Sequence, residues 1–593
     1  MFDWLLRALR GRASHQGDSE QQDQKRSCAD VKWSGIDDLI DQGRLDEARA
    51  ALQTSAGERT DHVGVTVRLG KISYLKGDFP TAARLLADAV LADPRNAIGQ
   101  KYLAAARLQL GDAAGATAAG TRAAALAPDD AEVHNILGAA YTTLGRFDSA
   151  VEQFHRALEL DADNLIPLMN LQVLEQRLAD SRKFVGKRAP TEVARARALQ
   201  TLTAQFRSQT LDLQGLEILL SLTATSREHF GQALELANTY ANTEALSPNA
   251  VTSMASVLEK AGDTKRALHL RERGFRLAPS LPEIRLGLGQ ALVVEGRERW
   301  AEGWRLIDES AHSMNAPAYA QEVPEWSGND IGQLRLFVYQ EQGFGDSVLA
   351  LRFLPILHQR GIRVVLWVKS GIGELARSAG GYELLLASET RPDARAHECA
   401  FAAPLLGLIR LLQLDRAALK NPPVLRAPPA LSARWHERFA SLAGKRVGLV
   451  TSGNTNRSDD WLRTVATEDL GPLVQLKGIS WINLAVDSRP ERAAAIASLR
   501  MEDPTAELRD YAETAAVIDA LDAVATIDCS AAHIAASLGK PTWVLAPTFP
   551  DWRWQIAEDT QPWWPTVRLL RAEAPGVFTN AIAKLAQELE SFR

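Results

Sequence analysis

The sequence predicts a multidomain chain, with an all-α repeat superhelix first and an α/β region after it. Two observations lead to this fold class. Glycines recur at a constant spacing of 34 residues early in the chain, and short β-rich segments alternate with helical ones after about residue 320. A constant spacing of that length is typical of stacked helical hairpins, whereas alternating strands and helices are typical of parallel sheets.

The early repeat is marked by pairs of small residues. An alanine follows each glycine after five residues, which gives the pairs Gly43 and Ala48, Gly77 and Ala82, Gly111 and Ala116, and Gly145 and Ala150. A 34-residue period is the signature of the tetratricopeptide repeat, in which each unit is a pair of antiparallel helices. We predict that the two helices cross at the alanine, where no larger side chain fits. Stacked pairs form a curved groove, so the predicted partner is another protein.

The same spacing returns later in the chain. Gly262 and Gly296 are again 34 residues apart, with Ala267 and Ala301 in register. Residues 165–247 are helical in pattern but out of register, which indicates an insertion or a degenerate pair of repeats. The predicted division has four parts, and its last two are Rossmann-like: a flexible N-terminal segment (1–30), the repeat region (31–315), and two α/β domains (316–435 and 436–593).

Composition restricts the class of protein. At 593 residues the chain is too long for a single core. Charged residues make up 24% and the net charge is −6, so no basic excess indicates a nucleic-acid partner. The three cysteines are widely spaced, which fits a reducing cytoplasm better than a disulfide framework. No apolar run approaches the ~20 residues that a membrane span needs, and the first residues lack a secretory signal pattern. The predicted location is the cytoplasm.

The α/β region contains short segments with the composition of buried strands. The predicted strands are 335–340, 363–368, 446–453, 479–487, 523–530 and 542–547. Their number is sufficient for two parallel sheets with helices on both faces. In open sheets of this kind, ligands bind at the carboxyl ends of the strands. The turns that follow the strands are therefore the candidate sites.

The first candidate turn contains Gly343, Gly345 and Asp346, directly after a strand and at the start of a helix. Glycines let a backbone approach a ligand closely, and the start of a helix presents unpaired N–H groups to an anion. Two interpretations of Asp346 are open. It is an N-cap that stabilises the helix, or it is a general base directed into a cleft.

Two further turns have small polar residues. Ser452, Gly453 and Asn454 follow one strand and can donate hydrogen bonds to phosphate, and Arg463 follows in a charged loop. That loop also fits a simple solvated surface. Asp528 ends another strand, with Ser530 as the predicted N-cap and His533 in the first helical turn. The helix terminus and the imidazole together suit a phosphate group, although a lone histidine there is also common as a cap.

Two other features have structural interpretations. Asp161 and Asp163 are spaced like a metal-binding acidic motif, but they lie in a turn between repeats, and we predict no metal site. The tryptophans of residues 551–554 (DWRW) and 562–565 (PWWP) are predicted to pack in the interior, with Arg553 as the functional member of the group.

These motifs together resemble a known family. Residues 341–357 (EQGFGDSVLALRFLPIL), the Ser-Gly-Asn turn, residues 528–545 (DCSAAHIAASLGKPTWVL) and the closing tryptophan motifs look like the transferase half of bacterial tetratricopeptide-repeat glycosyltransferases. Those are related to the heptosyltransferase-type family of inverting, metal-independent enzymes. The resemblance implies an α/β GT-B fold of two Rossmann-like domains after the repeats, with the second binding the donor.

With the repeats attached, the chain is similar to alphaproteobacterial flagellin glycosyltransferases. The resemblance implies that the repeats bind flagellin and that the GT-B half transfers a nonulosonic acid of the pseudaminic-acid type to Ser or Thr. The implied donor is a CMP-linked nucleotide sugar, and no other cofactor is implied. Asp346 matches the proposed general base. The positions that match donor-binding residues or lie beside them are Gly343, Gly345, Ser452, Gly453, Asn454, Arg463, Asp528, Ser530, His533 and Arg553.

The sequence departs from the family pattern at several positions. Cys529 replaces the usual threonine, and the loop after Arg463 differs as well. Two other readings therefore stay open. One is a heptosyltransferase-type enzyme with an ADP-heptose donor. The other is a non-catalytic scaffold whose transferase domain is degenerate.

Overall fold

The computed structural model describes most of the chain. The described residues are 33–56, 62–178, 189–296, 299–315, 323–341, 343–414, 425–453, 459–486, 490–554 and 563–592. The predicted flexible segment (1–30) and Asn454 lie outside these ranges. The chain divides into two compact units, Met1–Leu222 and Thr223–Arg593. Of the helices in the described ranges, none combines the length and the apolar character that crossing a lipid bilayer requires.

The first unit is built from helices. They are α1 (Ser34–Asp41), α2 (Leu45–Ala56), α3 (His62–Leu75), α4 (Phe79–Ala92), α5 (Ala97–Gln109), α6 (Ala113–Leu126), α7 (Ala131–Thr143), α8 (Phe147–Leu160), α9 (Leu165–Leu178), α10 (Ala189–Arg207) and α11 (Leu213–Thr223). From α3 to α8 each helix packs on the next one in the chain, as in a stack of hairpins.

The 34-residue period has a local physical cause. Gly43, Gly77, Gly111 and Gly145 adopt φ values of 74°, 81°, 80° and 71°, a left-handed conformation that ends one helix and lets the chain turn back. The paired alanines Ala48, Ala82, Ala116 and Ala150 are fully buried. The prediction of tetratricopeptide hairpins is confirmed.

The second unit begins with more helices. They are α12 (Phe230–Tyr240), α13 (Pro248–Lys260), α14 (Thr264–Leu277), α15 (Pro282–Glu295) and α16 (Trp300–Asn315). Gly262 and Gly296 keep the left-handed turn, with φ of 87° and 77°. The prediction for Ala301 is wrong, because this residue is exposed. Gly303 lies at the crossing instead, where a Cβ atom would come within 2.9 Å of the Gly289 carbonyl oxygen.

Two parallel sheets follow the helices. The strands are β1 (Arg335–Tyr339), β2 (Arg363–Val368), β3 (Leu384–Ala387), β4 (Cys399–Pro404), β5 (Lys445–Val450), β6 (Ile479–Asn483), β7 (Ala523–Ile527), β8 (Thr542–Ala546) and β9 (Val567–Arg571). The first sheet has four strands in the order β3-β2-β1-β4, and the second has five in the order β6-β5-β7-β8-β9. Strand pairs are parallel, with Val338 beside Leu366 and Ala403, for example.

Helices connect these strands. They are α17 (Phe344–Ala350), α18 (Leu354–Gln359), α19 (Ser370–Ala376), α20 (Leu408–Leu411), α21 (Pro429–Phe439), α22 (Gly471–Val474), α23 (Pro490–Leu499), α24 (Tyr511–Asp519), α25 (Ser530–Ser537) and α26 (Thr579–Ser591). In each sheet the strand order reverses direction once, between β1 and β4 and between β5 and β7. Such points are where open α/β sheets bind ligands. The predicted fold class is confirmed: a repeat superhelix precedes two Rossmann-like sheets.

A cluster of tryptophans joins α16 to the segments that flank the second sheet. Trp304 packs against Trp552 with ring centroids 5.0 Å apart, and Trp300 packs against Trp563 at 5.8 Å. All four side chains are buried. We call these four residues the tryptophan cluster. Its residues lie on both sides of the predicted domain boundary at 315/316. That boundary stays a prediction.

A second connection concerns the other predicted boundary, at 435/436, which falls within α21. Trp435 is fully buried, and its indole Nε1 donates to Glu513 Oε2 at 3.1 Å. Glu513 lies on α24, which precedes β7 of the second sheet. The helix α21 therefore packs against the helical layer of the second sheet.

Candidate functional site

The turn after β1 places two carboxyl groups at the carboxyl end of the first sheet. Gly343 occupies the N-cap of α17, and Asp346 is the third residue of that helix, so Asp346 is not the N-cap. Its carboxylate receives a backbone hydrogen bond from Gly343 and is buried, with 6% of the residue exposed. Glu341 accepts hydrogen bonds from the backbone N–H groups of Leu405 and Leu406 at 3.1 and 3.0 Å. It thereby joins the ends of β1 and β4 at the switch point.

The turn after β5 is connected to the turn after β7 through Arg463. Arg463 Nε donates to Asp460 Oδ1 at 2.7 Å, and another guanidinium nitrogen donates to the Asp528 carbonyl oxygen at 3.2 Å. Gly453 lies against this pair, because a Cβ atom on it would come within 2.5 Å of Asp460 Oδ1. Ser452 is buried beside it. Arg463 therefore fixes the geometry of the second switch point.

The turn after β7 leads into α25. The N-cap position belongs to Cys529, and Ser530 is the first residue of the helix, so the predicted capping role of Ser530 is wrong. No side chain caps this helix start. Desolvation of Asp528 raises the pKa of its carboxyl group. The start of this helix, at Cys529 and Ser530, lines the cavity described below.

His533 is enclosed by aromatic rings. It is 2% exposed and stacks on Trp554 with centroids 5.1 Å apart and an interplanar angle of 11°. The Trp564 indole donates to His533 Nδ1 at 3.3 Å. An indole N–H only donates, so Nδ1 is the acceptor and the proton of the neutral ring lies on Nε2. Burial and the nearby positive charges of Arg553 and Arg352 hold the pKa of His533 well below its usual range. The imidazole is a neutral hydrogen-bond donor.

Arg553 lies in the loop after β8, at the centre of an acidic group. Its guanidinium is bonded to the carboxylates of Asp346 and Asp551. It also packs over the Trp552 ring, with the guanidinium carbon 4.5 Å from the ring centroid. The negative charges of Asp346, Asp551 and Asp528 raise the pKa of Arg553. The ion pair with Asp346 joins the first sheet to the second across 207 positions of sequence.

These groups surround a cavity of about 330 Å³. The predicted residues that line it are Gly345, Asp346, Arg463, Asp528, Ser530, His533 and Arg553. Gly343, Ser452 and Gly453 are not among the residues that line it. The structure therefore brings turns from both sheets to one space, as expected where strand order reverses.

One wall of the cavity comes from the helices of the second unit, which the sequence did not indicate. Its residues are Ser256, Glu259, Lys260, Gln290 and Val294, from α13 and α15. Glu259 is buried and forms a two-pronged ion pair with Arg271, at 2.9 and 2.6 Å. Because Arg271 neutralises Glu259, this wall offers polar side chains with little net acidic charge. Thr548 Oγ1 donates to the Lys260 carbonyl oxygen at 2.6 Å and fixes the wall to the loop after β8.

Comparisons with known proteins support the repeat assignment. Two tetratricopeptide-repeat family models match residues 39–106 and 131–164. The chain therefore contains tetratricopeptide repeats. Along its length it is similar to Protein FlbA of Caulobacter vibrioides, with 24% identity over 584 residues that cover 92% of each chain.

Among solved structures, the chain is similar to the glycosyl transferase family 9 protein from Veillonella parvula, with 11% identity and a TM-score of 0.33. That match covers 42% of this chain and 88% of the other. The first TPR domain of the human RPAP3 protein matches with 25% identity and a TM-score of 0.20, over 20% of this chain and 94% of that one. Both TM-scores are low, so the fold assignment depends on the strand orders given above.

Proposed function

We propose that this chain is a protein O-glycosyltransferase that moves a nonulosonic acid of the pseudaminic-acid type from CMP to Ser or Thr of flagellin. The observation that carries the proposal is the cavity at the switch points of both sheets. It contains a buried carboxylate from the first sheet, and a helix start with two nitrogen donors from the second. A transferase needs this combination, a base on one side and stabilisation of a departing phosphate on the other.

The reaction is a single displacement. The acceptor hydroxyl oxygen bonds to the anomeric carbon, and its proton passes to the Asp346 carboxylate. The bond from the anomeric carbon to the phosphate oxygen breaks, and its electron pair leaves with CMP. Burial raises the pKa of Asp346, which brings a carboxylate closer to the basicity that proton abstraction from a hydroxyl requires. One displacement inverts the anomeric centre, and no metal takes part.

The donor phosphate is assigned to the second sheet. Arg463 supplies a fixed positive charge, and the His533 Nε2–H supplies a neutral hydrogen bond. The open start of α25 at Ser530 adds backbone N–H groups and the positive end of a helix dipole. Asp528, with its raised pKa, is assigned to hydroxyl groups of the sugar rather than to the phosphate.

The acceptor is assigned to the helical side. Tetratricopeptide repeats form grooves that bind polypeptides, which supports a protein acceptor. Within the second unit, Ser256 and Gln290 provide a polar helical wall to the cavity that contains Asp346. Flagellin as the partner and CMP as the nucleotide come from the family resemblance, and the cytoplasm as the location comes from the composition of the sequence.

The proposal is tested by the intact mass of flagellin from cells with and without this gene. Deletion should remove mass increments of nonulosonic-acid size, and the unaltered chain should restore them. The Asp346→Asn variant should restore none, because an amide cannot accept the proton. Asp393→Asn serves as the matched control, since Asp393 is an exposed carboxylate on the first sheet's half. A flagellin mass that deletion leaves unchanged would rule out this acceptor.

The same set of strains separates the other two readings. A scaffold predicts that Asp346→Asn restores the mass increments fully and that no nucleotide raises the melting temperature of the purified chain. A heptosyltransferase-type enzyme predicts stabilisation by ADP and ADP-linked sugars but not by CMP. We expect stabilisation by CMP and CMP-linked sugars.

A further inference from the structure

Arg553 lies in the cavity where a donor-binding residue is expected, but its side chain is hydrogen-bonded to carboxylates of the protein. Its side chain is 16% exposed, and its N–H groups are directed to the carboxylates of Asp346 and Asp551. Trp552 covers one face of the guanidinium. A phosphate ligand would have to compete with these two bonded carboxylates for the same donors. The contacts therefore favour a role toward Asp346 over a role toward the donor.

The charges around Asp346 show why the positive charge of Arg553 matters for the ionisation of its carboxyl group. The charged and titratable side chains on the segments that pack against or adjoin α17 are Glu341, Arg352, Lys369, Glu374, Asp528, His533, Asp551 and Arg553. Glu341, Asp551 and Asp528 carry negative charge when ionised and oppose ionisation of Asp346. His533 is neutral, and the Lys369 ammonium lies over the Phe344 ring at 6.0 Å. Arg553 is the cation bonded directly to the Asp346 carboxylate.

A base must be ionised before it can take a proton. A carboxylate that is removed from water keeps its charge only when a positive group or several N–H donors compensate it. Asp346 has the Gly343 N–H and the Arg553 guanidinium. Arg553 donates from one nitrogen to Asp346 Oδ1 and from another to Asp551 Oδ1, so its planar guanidinium holds the Asp346 oxygen in a fixed direction. One oxygen is bonded to Arg553, which leaves the other for the acceptor hydroxyl.

We infer that Arg553 is a positioning residue that keeps the Asp346 carboxylate ionised and oriented for the acceptor hydroxyl, and that it does not bind the donor phosphate. This inference rests on the proposed function. It differs from the donor-binding role that is predicted for this arginine from the sequence. Arg463 is paired with one carboxylate, Asp460, whereas Arg553 is bonded to two, so Arg463 and His533 remain the groups assigned to the donor.

The test compares three substitutions in the full chain: Arg553→Gln, Arg553→Lys and, as a surface control, the exposed Arg395→Gln. For Arg553→Gln we expect the Kd for CMP, measured by calorimetry, to change by less than about threefold. We expect kcat/KM at pH 7 to fall at least about tenfold, and its acidic limb to move upward by about one pH unit or more. Arg553→Lys should give an intermediate limb, because an ammonium keeps the charge but not the planar geometry.

The opposite pattern would overturn the inference. If Arg553→Gln weakens CMP binding about tenfold or more and leaves the acidic limb in place, Arg553 is a donor ligand. Circular dichroism checks that each variant folds. If Arg553→Gln does not, the smaller change in Arg553→Lys decides the question by the same two measurements.

A third measurement separates failure of this inference from failure of the proposed function. Infrared titration of isotope-labelled aspartate, assigned by the band that Asp346→Asn removes, follows the Asp346 carboxyl without any transfer reaction. An upward shift of its titration in Arg553→Gln supports the pairing even in a protein that transfers no sugar. An unshifted titration contradicts the inference even when transfer from CMP-linked sugar is observed.

Discussion

The helices of the first unit and those at the start of the second follow the same sequence rule but have different neighbours. In both regions a left-handed glycine ends a helix, as at Gly145 and Gly262. In the first unit the buried faces meet neighbouring repeats, as where Leu137 packs against Gly120. In the second unit, α16 contributes Trp300 and Trp304 to a core that includes the second sheet. Periodicity therefore predicts a hairpin, but not what the hairpin packs against.

The largest expected difference concerns truncation. A fragment of residues 223–593 keeps the tryptophan cluster intact, whereas a fragment of residues 316–593 loses Trp300 and Trp304 and exposes Trp552 and Trp563. We expect a cooperative thermal transition for the longer fragment and none for the shorter one, by circular dichroism. Equal stability of the two fragments would show that α16 is not part of this core.

Substitution of one aromatic residue in each region sharpens the comparison. Trp304→Ala and Phe154→Ala should each cost about 3–5 kcal/mol in the free energy of unfolding, because both remove a buried ring. In the fragment of residues 223–593, which does not contain Phe154, Trp304→Ala should also lower the melting temperature. An unchanged melting temperature of that fragment in Trp304→Ala would show that Trp304 does not stabilise the second unit.

The two regions contain carboxyl groups whose pKa values are shifted in opposite directions, so their stability should depend differently on pH. In the first unit, Lys76 lowers the pKa of Asp46. In the second, burial raises the pKa of Glu341 from 4.5 to about 8. Unfolded chains release this proton near pH 4.5 and the native protein holds it until about pH 8. The free energy of unfolding should therefore fall across that window, by an amount on the order of a few kcal/mol.

Urea titrations at several pH values measure this dependence. Glu341→Gln should remove this part of the pH dependence, because an amide does not titrate. It should also lower the free energy of unfolding by a constant amount, because one side-chain oxygen that accepts a backbone N–H is lost. Parallel pH profiles for the two proteins would mean that Glu341 is already ionised at low pH in the native state.

The smallest expected effect distinguishes two helical glycines of the second unit. Gly303→Ala should cost about 1–3 kcal/mol, because the added Cβ would lie 2.8 Å from a Val293 methyl group and 2.9 Å from the Gly289 carbonyl oxygen. Gly231→Ala is the matched control, since nothing lies within 4 Å of its added Cβ. It should be neutral or gain up to about 1 kcal/mol. Equal effects would mean that the α15–α16 crossing can relax.

The sequence predicted the repeats and most strands because their signals are local. The strands β1, β2, β5, β6, β7 and β8 were predicted from runs of β-branched and aromatic residues. The other three, β3, β4 and β9, were missed. Leu384–Ala387 reads LLLA and Cys399–Pro404 reads CAFAAP, and neither has the β-branched residues that indicate a strand. Their strand conformation comes from pairing with neighbours, which no local pattern shows.

Most of the candidate site was predictable because it follows a strand. Asp346, Asp528 and His533 were predicted for that reason, Arg463 from the charged loop beyond a strand-end turn, and Arg553 from the tryptophan motif, and all five line one cavity. The bond between Asp346 and Arg553 joins residues 207 positions apart, and a single sequence contains no signal for such a pair. The helical wall could not be predicted for the same reason. In the sequence Gln290 is an ordinary helical residue, and only the folded chain places it at the cavity.

The tryptophan cluster also determines where this chain can be recombined with others. Because all four rings lie in the second unit, chimeric proteins that exchange residues 1–222 keep the whole cluster within one parental sequence. A junction at residue 315 would instead take the helices and the sheets from two different parental proteins. The tryptophans of the two parents would then have to fit together.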